Sequence, residues 1–122
     1  MSQASAQERR QRKRFQKSCK VEFSANNEIY RGVSENFSIN GLFIKTDNFL
    51  PLQSVVAIKV HLPDGSTAEL EGRVRRVQQV SYDMVAASGG TFKNGIGIEI
   101  INRDSNYMKF FMSLLGNEDN TF

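Results

Sequence analysis

A chain of 122 residues with 39% apolar content has room for one domain around one core, without the disulfides or metals that smaller chains need. Its single cysteine excludes an internal disulfide, and one histidine with no clustered carboxylates leaves no zinc site, catalytic triad or Gly-rich phosphate loop to assemble. The net charge of +3 is uneven: residues 1–20 carry seven Lys or Arg against one Glu, a balance of +6, so the remainder stands at −3.

The arm comes first. Residues 1–8 have nothing to bury and are expected to be mobile. Arg9, Arg10, Arg12, Lys13 and Arg14 follow, and a positive arm on a slightly acidic body asks for an anionic partner: a nucleotide, a nucleic acid, or an acidic protein or lipid surface. The plain alternative is a solubilising tail. The arm has no hydrophobic signal core, and no segment is apolar over the roughly 18 residues that a membrane crossing needs. A soluble, cytoplasmic protein is expected.

From Cys19 the pattern takes a period of two, with Cys19, Val21 and Phe23 alternating with polar residues, as in a half-buried strand. Asn26-Asn27 reads as a turn, and strands are predicted over residues 29–37 and 41–46, before a loop at Asp47-Asn48 and Leu50-Pro51. Residues 55–62 are rich in β-branched side chains and run into Pro63-Asp64-Gly65, so a hairpin is expected with its return strand over 67–80. Adjacent Arg75 and Arg76 break the alternation and suggest a bulge. Residues 81–95 read as a long connection of undefined structure, and 96–101 as a last strand, where Gly95 and Gly97 allow bending or close approach of another backbone.

Asp104 or Asn102 is placed to cap a helix that ends near Leu115, stopped by Gly116. Its apolar residues, from Tyr107 to Leu115, cover an arc of roughly 200°, wider than one core surface requires. The excess face asks for a second partner: the arm, another protein, or a second subunit in a homodimer through residues 104–115. Several short strands followed by one helix predict an all-β-dominated fold, a closed or nearly closed antiparallel barrel plugged by a C-terminal helix. The domain limits read as a flexible 1–8, a single domain over 9–116 and a flexible tail over 117–122.

Two motifs carry chemistry. Arg10 and Arg14, four apart and preceded by Arg9, offer guanidinium groups that fork onto phosphate, bind guanine O6 and N7, and stack on purines. Asn36-Phe37-Ser38-Ile39-Asn40-Gly41 reads as a strand-to-strand turn. In it Asn36 offers a side-chain amide and Ser38 a hydroxyl, while Gly41 can take positive φ or let a ligand press on the main chain. An ordinary turn, with Asn and Ser bonded to their own backbone, fits the same residues. His61 reads as a strand-end surface residue, Cys19 as a small buried apolar one, Glu69 and Glu71 as one solvated face. Arg73, Arg75 and Arg76 read as simply exposed rather than part of a site.

The order of these features resembles PilZ domains, the bacterial receptor modules for cyclic di-GMP, over about residues 9–115: an arginine pair, then the Asn-x-Ser-x-x-Gly turn, then Gly95-Ile-Gly-Ile-Glu-Ile100 and a terminal helix. The resemblance implies a six- or seven-stranded barrel, no enzyme activity, no cofactor and cyclic di-GMP as ligand. Arg10 and Arg14 would bind guanine and phosphate, with Arg9 serving a stacked second ligand, and Asn36, Ser38 and Gly41 would line the base and backbone side. The commoner first residue of the turn motif is Asp, whose charge favours the guanine N1 and N2 donors; Asn36 lacks it. Binding would order the arm and alter the surface offered to a downstream protein. Two rivals are a PilZ-like scaffold working through protein contacts alone and a nucleic-acid-binding barrel with Phe37 and Phe43 as its strand-borne aromatics.

Overall fold

The computed structural model describes residues 17–89 and 93–119. Strands β1 (Cys19–Ala25), β2 (Glu28–Glu35), β3 (Gly41–Lys45), β4 (Val55–His61), β5 (Thr67–Gln78) and β6 (Gly95–Arg103) are joined by helices α1 (Tyr82–Ala87) and α2 (Ser105–Asp119). The strands close into an antiparallel barrel in the order β1-β2-β3-β6-β5-β4. The predicted barrel with a C-terminal helix is present, with six strands.

Side-chain alternation explains how the wall forms. In β4, Val56, Ile58 and Val60 are buried while Val55, Ala57, Lys59 and His61 face out, and β1 buries Cys19, Val21 and Phe23 in the same way. These rows meet Leu42, Ile44, Leu70, Val74, Ile96 and Ile98 in one core. Burial pushes the Cys19 thiol pKa upward, with Lys17 opposing, as expected of a small apolar-like residue.

The turns follow from residues that accept unusual backbone angles. Asn26 and Asn27 lie at φ 54 and 67, the left-handed pair that a two-residue hairpin requires, and they join β1 to β2. Between β4 and β5, Gly65 takes φ 89 while Asp64 Oδ1 accepts from the Ser66 amide and hydroxyl at 2.9 and 2.6 Å. In β5 the register shifts between Val74 and Arg76, opposite Ile98 and Gly97 of β6, so the expected bulge is present.

Asp104 makes the joint between β6 and α2. Its Oδ1 accepts from the Tyr107 amide at 2.9 Å as a helix cap, and its Oδ2 accepts from the Glu69 amide of β5 at 2.8 Å. Of the two expected caps, Asp104 is the one used. Tyr107, Phe110 and Leu114 then plug the barrel.

Two expectations require correction. Gly116 does not stop α2, which continues to Asp119; a glycine inside a helix costs only about 1 kcal/mol relative to alanine. The connection read as undefined contains α1, capped by Ser81, whose Oγ accepts from the Met84 amide at 3.2 Å. Six residues are too few to print a helical period in the sequence.

Candidate functional site

The chain leaves β2 at Glu35 and turns through Asn36 at φ 56, a conformation that asparagine tolerates better than most residues. Phe37, fully buried, anchors the turn edge-on against Phe110, ring centroids 5.4 Å apart, and beside Tyr107 at 6.4 Å. The Ser38 amide and hydroxyl both donate to the Gly41 carbonyl, at 2.9 and 3.1 Å. The Tyr107 hydroxyl donates to the Ser38 carbonyl at 2.8 Å, and burial raises the pKa of that phenol far above its usual value, against a lowering by Arg103. The hydroxyl therefore stays a donor, and helix α2 holds the turn in place.

Gly41 serves the fold in a way the sequence does not reveal. Its φ is not positive; a side chain there would begin 2.9 Å from the Ile98 carbonyl, so glycine is what lets β3 approach β6. The 5% exposure of Ser38 and its bonds within the turn match the ordinary-turn reading, and the same residues also line a cleft.

That cleft, about 630 Å³, lies over β3, β6 and β5 and brings Asn36, Ser38 and Gly41 together with Arg75, Arg76, Gly97 and Glu99. Arg75 and Arg76 are exposed as expected, and Arg73 is half-buried, but the first two also line this site. The bulge is the signal in the sequence that locates them, because it breaks the alternation that would otherwise send one of two adjacent side chains inward.

The charges suit an anion. Glu99 is paired with Arg75, Oε1 to Nη2 at 3.0 Å, and Glu35, beside Asn36, is held by Lys93 Nζ at 3.0 and 3.1 Å. Both carboxylates are thus offset. A second depression of about 610 Å³ on the β1–β4–β5 wall is lined by Glu22, Glu69, Glu71 and Asp104 against Lys59 and Arg103, a net negative set that suits a phosphate less well. His61 lies at the surface, its Nε2 3.6 Å from Glu22 Oε1. Among the described residues no group of His, Cys, Asp and Glu could hold a metal.

Arg9, Arg10 and Arg14 lie outside the described residues. The root of their arm is defined: the Cys19 carbonyl accepts from the Ser34 hydroxyl at 3.2 Å, two residues before Asn36. Of the aromatics a nucleic-acid platform would need, Phe37 is fully buried and Phe43 is 7% exposed beneath Arg76, so neither offers an open ring face.

A closed six-stranded antiparallel barrel, capped at one end by a helix and bearing a polar, cationic cleft beside a helix-pinned turn, is the architecture of a PilZ-type fold. The chain belongs to the PilZ domain family, whose model matches residues 8–109, a span that includes both the arginine pair and the turn. PilZ domains are cyclic di-GMP receptor and adaptor modules. Among solved structures, the Bacillus subtilis inhibitor of motility (MotI/DgrA) is similar at 16% identity and a TM-score of 0.68, over 88% of this chain and 50% of that one. The chain spans half the length of that protein, and the likeness is one of fold. No curated protein matches significantly. No described helix is long and apolar enough to cross a membrane.

Proposed function

We propose that this protein is a non-enzymatic receptor that binds cyclic di-GMP between its arginine arm and the cleft at residues 36–41, and that arm closure passes the signal to a partner protein. The observation that carries the reading is the meeting of arm root and turn at one end of the barrel. Cys19 is bonded to Ser34 at the foot of the turn. Arg14 is five residues from Cys19 and Arg10 nine, so an extended arm reaches about 17 and 30 Å, enough to cover the cleft.

In this reading Arg10 and Arg14 fork onto guanine and phosphate from above. Asn36 presents its amide to a base edge. Ser38 keeps its acceptor lone pairs for the ligand while its proton stays with Gly41, and Gly41 holds β3 close to β6 beneath them. Arg9 adds a guanidinium for a second, stacked ligand. No cofactor is called for, and a single domain in the cytoplasm that ends with helix α2 suffices. A homodimer through 104–115 has little surface support, since Met112, 54% exposed, is the one large apolar residue of the described helix face that is open to solvent.

Isothermal titration of the full chain with cyclic di-GMP tests the reading. Micromolar or tighter binding is expected, abolished in Arg10→Ala and Arg14→Ala and weakened in Ser38→Ala. Binding that survives both arginine substitutions overturns it. Titration with labelled single-stranded oligonucleotides across a salt series is expected to show only weak association.

A further inference from the structure

The geometry points to Arg76 as a binding residue on the barrel wall, stacking its guanidinium on a purine of the ligand and setting the preference for a purine-bearing phosphodiester. The inference rests on the receptor reading above and adds to it a contact from the barrel itself.

Three observations carry it. The bulge between Val74 and Arg76 turns both Arg75 and Arg76 outward, where unbroken alternation would bury one of them. The two arginines then take different tasks. Arg75 is committed, with Nη2 on Glu99 at 3.0 Å and Nη1 on Gln53 Oε1 at 3.2 Å; it offsets the one carboxylate among the described residues that line the cleft. Arg76 makes no ion pair among the described residues. Instead its guanidinium lies over the Phe43 ring, 5.7 Å from the centroid, and that ring is almost wholly covered.

Gly97 completes the arrangement. A Cβ at that position would come within 3.3 Å of the Arg76 Cβ and 3.6 Å of its Nε, so glycine leaves the space that the arginine side chain occupies. A guanidinium held over an aromatic ring is pre-oriented, and in this proposal the face turned away from Phe43 is the free one, offered to the cleft that Arg76 lines. A purine laid on the free face gives a stack of ring, guanidinium and base. The N–H edge is then in reach of a phosphate oxygen or of guanine O6 and N7. Lysine in the same place supplies charge without a plane.

The test is calorimetric titration of cyclic di-GMP into the full chain and into Arg76→Ala, Arg76→Lys and, as a control of equal charge change, Arg31→Ala of β2, which does not line the cleft, with melting temperatures measured in parallel. Wild-type and Arg31→Ala protein are expected to bind alike, Arg76→Ala about tenfold more weakly, and Arg76→Lys to recover less than half of that loss on a logarithmic scale. Melting temperatures should be nearly unchanged, because Arg76 is exposed. Wild-type affinity in Arg76→Ala overturns this inference and leaves the receptor reading standing. Wild-type affinity in Arg76→Lys refutes the stacking role. Absence of binding by the wild-type chain overturns both.

Discussion

Asn36 illustrates how one side chain serves fold and site together. At φ 56 a residue with an ordinary Cβ is strained, and asparagine and aspartate are the side chains that bear it best. Asn36→Ala should cost about 1–2 kcal/mol in chemical denaturation, whereas Asn36→Asp should leave the melting temperature nearly unchanged and tighten cyclic di-GMP binding by accepting from guanine N1 and N2. Gly41→Ala is expected to destabilise by about 1–3 kcal/mol through the Ile98 carbonyl, whether or not ligand is present. The turn motif is readable in the sequence, but the task of its glycine is not, since that task depends on a strand more than fifty residues away. At Cys19, burial holds the thiol in its protonated form; alkylation at pH 8 should be slow in the native protein and rapid in denaturant.

At the scale of elements, α2 holds the site together. Tyr107→Phe leaves the buried Ser38 carbonyl without its donor and should cost about 1–3 kcal/mol, with looser ligand binding because the turn loses its tie to the helix. Asp104→Ala removes both the helix cap and the link to Glu69 of β5, a loss of about 2 kcal/mol readable as a lower melting temperature. Strands β1 and β4 and both hairpin turns are legible in the sequence because strict alternation and Asn-Asn or Pro-Asp-Gly leave few other structures open. Helix α1 is not: six residues are too few to print a period, and its described side chains, Tyr82 at 84% among them, are exposed. The wide apolar arc of α2 is explained in large part by burial, as Tyr107, Phe110, Phe111, Leu114 and Leu115 are all buried and Met112 is not.

For the whole molecule, closure of the barrel decides which wall becomes the site. It sets β3, β6 and β5 side by side, and only then do a turn near residue 40 and a bulge near residue 75 share one cleft. That meeting is a property of topology, which explains why Arg75 and Arg76 read as plain surface in the sequence. The opposite sign of charge on the β1–β4–β5 wall gives the molecule an electrostatic direction, so anion binding should weaken steadily as salt rises through the physiological range. The central claim is that arm and turn close on one ligand, and amide hydrogen exchange reads it directly. Adding cyclic di-GMP to the full chain should slow exchange in two segments at once, residues 9–14 and residues 36–41. Slowing in neither, or only on the wall that bears Glu22 and Glu71, would contradict the account.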